Sequence, residues 1–369
     1  MKILHLETGL NLYGGAQQVL YLLDALADDE SEHLLVSAIG SEVGEAARAA
    51  GHHVRELTMR GDHDLGFLPR MRRVLEEERP DILHAHSRRG ADLLGGLAAR
   101  RSGICAVVSR RVDNPEPRWL AAVRYRPYIR IVAISNAIER VLTDAGIDRR
   151  RITVIPDCVD AEPFAGAPER EWLRAEFGLP AGAPVAGVVA QLIERKGHRY
   201  LLETMPAVLE DCPGLHVIFF GRGPLEKALA SEIRRLGFAD RVLMAGFRDD
   251  MARILPALDL VVHPALAEGL GVALLQAAAA SVPVVGFAAG GVCQAVEPGR
   301  TGLLVPPRDS EALGRAMLRV LTDPALARSL GEAGRVRVRS EFTPERMAAR
   351  HLALYREVLG GADTNTEDP

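Results

Sequence analysis

The 369-residue chain is 48% apolar and 25% charged, with a formal net charge of −4. Its size suggests two domains, or three, and its composition is that of a soluble globular protein able to bury a core without staples. The charge is too small to argue for or against any partner, and Cys105, Cys158, Cys212 and Cys293 lie far apart with no Cys-x-x-Cys pair. That spacing argues against a disulfide frame or a zinc site and for reduced thiols in a cytoplasmic compartment. The N-terminus "MKILHLETGL" reads as a strand running into a turn, without the apolar core and cleavage site of a signal peptide. No run of 18 apolar residues occurs, so no membrane span is expected.

In chain order, short apolar runs alternate with longer amphipathic ones. The first series of strands is "KILHLE", "HLLVSAI", "HVRELTM", "DILHAH", "AVVSRR", "RIVAIS" and "ITVIPD", with helical patterns such as "GAQQVLYLLDALA" and "ADLLGGLAARR" between them. Apolar strands separated by helices indicate a parallel sheet covered on both faces. A Pro/Gly/Ala-rich piece, "DAEPFAGAPEREW", separates this series from a second one: "APVAGVVAQ", "LHVIFFG", "RVLMAGF", "DLVVHPA" and "VPVVGFA". The pattern predicts two doubly wound α/β domains, 1–165 and 166–345. The amphipathic run "PERMAARHLALYREVL" is expected to form a closing helix over 346–360 that crosses back to the first domain. The remainder, 361–369, reads as a polar tail. Ligand groups in such sheets sit at the carboxyl ends of the strands, and a cleft between two of them is the expected ligand site.

Several strand ends carry chemistry. His84 and His86, two apart, point to one face. They read as structural histidines or as substrate contacts; a metal pair would need further ligands that spacing does not supply. Gly14 and Gly15 open a helix whose free amides suit a phosphate, although the stretch is not Gly-x-Gly-x-x-Gly. The second strand ends in Gly40 and Ser41 with no acid for a ribose, which weakens a dehydrogenase reading. Arg195 and Lys196 follow the first strand of the second domain, either as a solvated loop or as cations facing the cleft. Gly221 and Gly223 mark another strand end. The strongest local signal is "EGLGVALLQA". Glu268 precedes Gly269, Leu270 and Gly271, and then a helix starts whose amides can hold a diphosphate. A carboxylate suits sugar hydroxyls and not phosphate; its bland role is an acid at a helix N-terminus.

Taken together, "GGAQQVL", "DILHAHS", "VAISNAI", "VIPDCVD", "LIERKG", "GRGPLE", "GFRDD", "EGLGVALLQA", "VPVVGFAAGG" and "TGLLVPP" resemble the family-4 retaining glycosyltransferases in order and spacing, over nearly the whole chain. The resemblance implies the GT-B fold, two Rossmann-like domains facing across a cleft, and a nucleotide diphosphate sugar as donor. It implies Lys196 on the diphosphate, Glu268 on the donor sugar hydroxyls, backbone amides of Leu270 and Gly271 on phosphate, and Gly269 among the donor-binding residues. Gln276 then falls at the ribose, Phe247 and Arg248 border the base, and Gln191, Arg195 and Gly221 line the donor. Gly15 approaches the diphosphate from the first domain, and His86 faces the donor sugar. No metal or other cofactor is implied.

The chain departs from the family pattern at Gln17, Gln191, Gln276 and Gln294, where charged residues are usual, and at Ala265, where Ser is common. Gln276 in place of a carboxylate on a ribose hydroxyl costs about 1 kcal/mol, roughly tenfold in affinity at most. Gln191 matters more, because it removes a cation from the leaving diphosphate; Arg195 is the expected substitute. From Ser87 to Arg151 there are 14 Arg against 6 acids. This predicts that Arg88, Arg89, Arg110 and Arg111 face an anionic acceptor or membrane surface, aided by Trp119, Tyr125 and Tyr128. The expected protein is a cytoplasmic enzyme, peripheral on the inner face of the membrane, building a glycan or lipid-linked acceptor such as lipopolysaccharide core. Nucleic acid is not an expected partner. Two rivals are a binding module that has lost turnover and a nucleotide-sugar epimerase on the same fold.

Overall fold

The computed structural model describes residues 1–61, 64–88 and 90–363. The chain packs as two compact units: Met1–Cys158 with the segment from Pro344 onward, and Val159–Thr343. These limits differ from 165 and 345 for a local reason. The buried Gln18 amide donates to the Cys158 carbonyl (2.9 Å) and accepts from its amide (2.7 Å), tying Cys158 to the first unit. The next residue, Val159, bonds instead to the Phe342 carbonyl at 2.9 Å in the second. The closing helix runs Pro344–Asp363, longer at both ends than expected and reaching into the supposed tail. Residues 364–369 of that tail lie outside the described residues.

The first unit is built on strands β1 Lys2–Glu7, β2 Glu32–Ala38, β3 His53–Leu57, β4 Ile82–Ala85, β5 Cys105–Arg110, β6 Arg130–Ala133 and β7 Ile152–Val154. They form one parallel sheet in the order β3-β2-β1-β4-β5-β6-β7. The strands at its centre are buried along nearly their whole length, as a sheet covered on both faces requires. Helix Gly14–Ala25 and its C-cap supply Leu22 and Leu26, and the closing helix supplies Met347, Leu354, Tyr355 and Val358, to a core with Ile3, Ile82 and Val107.

The second unit contains β8 Val185–Val189, β9 His216–Phe220, β10 Val242–Gly246, β11 Leu260–His263, β12 Val284–Phe287 and β13 Leu303–Val305, in the parallel order β10-β9-β8-β11-β12-β13. All twelve strands read from the sequence are present; β13, three residues long, was not read as one. Both sheets are Rossmann-like. The strand order reverses between β1 and β4 in the first and between β8 and β11 in the second, and the carboxyl ends at such a reversal are where this architecture holds ligands. No helix among the described residues is long and apolar enough to cross a membrane.

Candidate active site

In the second unit the carboxyl ends of β8 and β11 bring the predicted residues together. The loop after β8 makes one 3-10 turn, Glu194–Lys196, and ends at Gly197 with φ 70°. A Cβ there would lie 1.9 Å from the Pro264 carbonyl oxygen, so only glycine allows this approach. The Leu266 amide bonds the Arg195 carbonyl at 2.8 Å, fastening the same two loops.

Lys196 Nζ is thereby ion-paired with Glu268, and His263 Nε2, at the end of β11, lies 3.0 Å from the same carboxylate oxygen. The side chains are 11% and 13% exposed for Lys196 and Glu268, and 2% for His263. Burial alone pushes the Glu268 carboxyl up, but the His263 hydrogen bond and charge and the Lys196 ammonium bring it well below the ordinary carboxylate range. Glu268 is thus a largely buried anion paired with Lys196 and within hydrogen-bond distance of His263. Its other oxygen accepts from the Gly269 amide at 3.2 Å.

The turn after Glu268 is clamped by a second Gly pair. The Gly291 amide donates to the Glu268 carbonyl at 2.8 Å, and a Cβ on Gly291 would sit 2.0 Å from the Gly269 carbonyl oxygen. Gly271 then N-caps helix Val272–Ala279. The leading amides of a helix have no intrahelical partner and carry the positive end of its dipole. Leu270 is buried, while Gln276 is half-buried on the helix.

The other residues expected at the donor in the second unit occupy the ends of β8, β9 and β10. Gln191 is exposed beyond β8, and the Gly221 amide after β9 bonds the Gly246 carbonyl at 2.7 Å. Phe247 is 50% exposed, with the Arg222 guanidinium 5.3 Å over its ring. Arg248 is held elsewhere: it donates to Asp250 (2.6 and 2.8 Å) and to Glu176 (2.8 Å). These bonds raise its pKa further, and the guanidinium fixes the loop after β10.

In the first unit, His86 is buried at the carboxyl end of β4, where its amide continues the ladder to the Leu6 carbonyl (2.9 Å). His84 and His86 do share a face: their rings are 3.9 Å apart. His5, opposite His84 on β1, joins them. The three offer ring nitrogens within 4.8 Å of one another and are the group among the described residues that could hold a metal ion. Their nitrogens already have partners, however. His84 meets Tyr355 Oη (2.7 Å) and Ser109 Oγ (2.9 Å), and His86 Nε2 meets His5 Nδ1 (3.0 Å). Burial drives all three pKa values well below that of free histidine, so the rings are neutral. Arg111 pairs with buried Asp157 and approaches His86 Nδ1 at 3.4 Å. Its Cδ lies 3.4 Å from where Gly15 would carry a Cβ, at the start of helix Gly14–Ala25.

The arginine excess of residues 87–151 is largely engaged internally. Arg110 is 2% exposed and bonds Glu116 (3.2 Å) and the Val112 carbonyl (2.7 Å). Arg88 faces Glu116 at 3.4 Å, and Arg124 pairs with Asp92. Arg89 lies outside the described residues. Tyr125 and Tyr128 are buried and cannot make interfacial contacts: Tyr128 Oη donates to the Asp92 carbonyl at 2.7 Å. Trp119, at 70% exposure, remains on the surface. Sequence reasoning missed His5, Asp157 and His263. A histidine inside each of the apolar runs "KILHLE" and "DLVVHPA" was the available signal.

With this geometry in place, the comparisons define the class. A family model for group 1 glycosyl transferases matches residues 183–323, and one for family-4 glycosyltransferases matches residues 13–163. The chain is 30% identical over 298 residues to the 2-deoxystreptamine glucosyltransferase of Streptomyces kanamyceticus, covering 75% of this chain and 77% of that protein. It is 27% identical over 360 residues to a lipopolysaccharide core biosynthesis glycosyltransferase of Rhizobium meliloti, covering 96% and 98%. HepE of Anabaena, solved in complex with UDP-glucose, superposes with a TM-score of 0.84 at 22% identity, covering 98% of this chain and all of that one. The fold is GT-B, and the chain belongs to the family-4, group 1 glycosyltransferases.

Proposed function

We propose that the protein transfers a sugar from a nucleoside diphosphate sugar to a hydroxyl with retention at the anomeric carbon. The observation that carries this reading is the Lys196–Glu268–His263 cluster beside the Gly271 helix start. It supplies, within one loop pair, a cation and backbone amides for a diphosphate and a carboxylate for sugar hydroxyls. The donor diphosphate takes Lys196 from Glu268, and the carboxylate turns to the sugar. Charge on the leaving phosphate is stabilised by Lys196, Arg195 and the helix start as it develops. Gln276 holds the ribose, and the half-exposed Phe247 offers a stacking face for the base. The departing phosphate accepts the acceptor's proton, so neither a protein nucleophile nor a metal is needed. UDP is the first nucleotide to try, since HepE is solved with UDP-glucose.

The acceptor is a cell-envelope glycan or lipid-linked sugar, in keeping with the Rhizobium relative. On helix Arg118–Tyr125 the exposed face carries Trp119, Ala122 and Val123, with Arg118 and Arg126 also exposed. An aromatic and apolar stripe beside two arginines suits peripheral binding to an anionic inner-membrane surface. The test is a transfer assay with a donor panel and lipid-linked acceptors, with and without chelator, reading the product's anomeric configuration by NMR. An inverted product, or hydrolysis alone with every acceptor, would contradict the reading.

A further inference from the structure

His86 does not stand alone. It is one link in a chain of hydrogen bonds that stays within the first unit. Arg111 Nη2 lies 3.4 Å from His86 Nδ1, His86 Nε2 is 3.0 Å from His5 Nδ1, and His5 Nε2 is 3.0 Å from His33 Nδ1. His33 Nε2 is 2.7 Å from Ser31 Oγ, whose hydroxyl is bonded to Asp29 Oδ1. The Ser31 amide donates to the same carboxylate oxygen at 2.9 Å.

The two ends fix the direction of every bond between them. A guanidinium can only donate and a carboxylate can only accept. At the Asp29 end, the Ser31 hydroxyl must give its proton to the carboxylate, so Ser31 Oγ accepts from His33 Nε2–H. A neutral imidazole has one N–H, so His33 Nδ1 is a lone pair and accepts from His5 Nε2–H. By the same step His5 Nδ1 accepts from His86 Nε2–H, and His86 Nδ1 is left with a lone pair. That lone pair is what the Arg111 end requires. Burial favours the neutral form of all three rings. Bonds to Ser31 hold the Asp29 carboxyl ionised. The ring of His84 packs against that of His86, with centroids 3.9 Å apart.

We infer that His5 and His33 are positioning residues: with Ser31 and Asp29 they lock His86 as the neutral Nε2–H tautomer, so that its Nδ1 lone pair holds the Arg111 guanidinium beside the Gly15 helix start. Arg111 is anchored on its other side by Asp157. The chain thus fixes a cation where the first unit presents the free amides of helix Gly14–Ala25. The tautomer assignment stands on the hydrogen-bond geometry and on neutral, buried rings; the consequence for transfer rests on the function proposed above.

The decisive experiment is a two-bond proton–nitrogen correlation spectrum of the full-length protein, labelled with nitrogen-15 in its histidine rings, at neutral pH. Signals are assigned by their loss in His5→Gln, His33→Gln and His86→Gln. The expected result is a proton on Nε2 and a lone pair on Nδ1 in all three rings. A proton on Nδ1 in any of them, a doubly protonated ring, or one equivalent of tightly bound zinc per chain would overturn the assignment. Transfer is read separately. Gln at 33 keeps one donor and one acceptor, and His33→Gln should retain kcat/KM within about twofold. His33→Phe should lower it about tenfold, the effect of one hydrogen bond that supports a charged group. Equal rates for His33→Phe and the parent, with the predicted tautomers present, would overturn the positioning role while leaving the chain of bonds and the glycosyltransferase reading intact.

Discussion

Lys196 and Glu268, 72 residues apart, form an ion pair that is nearly nine-tenths buried, with His263 Nε2 3.0 Å from the shared oxygen. The pair has two functions that separate experimentally. As structure, it keeps a buried carboxylate neutralised; as machinery, the proposed function gives each partner its own ligand group.

Removing one partner of a buried pair leaves the other uncompensated. Lys196→Met is therefore expected to lower stability by about 3 kcal/mol, read by denaturant unfolding. Lys196→Met combined with Glu268→Gln should recover most of that loss, because no unpaired charge remains. Donor binding should stay absent in both. A double variant no more stable than the single one would mean that the loss does not come from Glu268.

The depressed Glu268 pKa makes the pair's contribution depend on pH. A carboxyl held below its ordinary value of 4.5 stabilises the fold above that value, and this stability is lost as pH falls below it. Buried histidines add to the loss from higher pH. His351 is lowered from 6.5 to about 4 by burial, and His5, His84 and His86 lie well below 6.5. The unfolded chain binds protons there that the folded one refuses, so stability falls from pH 6.5 down to 4. Each such histidine steepens the slope by up to about 1.4 kcal/mol per pH unit. Unfolding free energies measured between pH 7 and 4 should show uptake of more than one proton, and a flat profile would contradict the buried neutral rings.

Gly291→Ala tests the clamp on the Glu268 turn. The new methyl would stand 2.0 Å from the Gly269 carbonyl oxygen, so the turn must move. The expected cost is about 1–3 kcal/mol, accompanied by loss of nucleotide binding. Gly166→Ala, with open space around its Cβ position and, like Gly291, no left-handed φ, is the comparison without a clash.

The surface of helix Arg118–Tyr125 gives a prediction without a stability term. Trp119→Ser with Val123→Ser should leave unfolding within about 0.5 kcal/mol of the parent, as exposed substitutions do. Sedimentation with vesicles containing anionic phospholipid should fall. Unchanged sedimentation would remove this helix as a membrane contact.

The strands were legible because most are rich in apolar residues and bounded by turn residues; β13 was not, because three residues carry no periodicity. The loops that carry Lys196 and Glu268 were legible because each is a short contiguous segment, 191–196 and 268–276. The histidine chain was not, because parallel pairing of β1 with β4 joins residues 81 positions apart. The arginine excess misled for a related reason: Asp92, Glu116 and Asp157, which neutralise Arg124, Arg110 and Arg111, are scattered through the sequence and become partners only in the fold.

The central claim is that a nucleoside diphosphate binds at Lys196. Calorimetric titration of the parent and of the Lys196→Met/Glu268→Gln double variant with UDP, GDP, ADP and CMP tests it most directly. The account predicts that one diphosphate binds the parent and none binds the folded double variant. Equal binding by both, or no binding of any nucleotide to the parent, would contradict it.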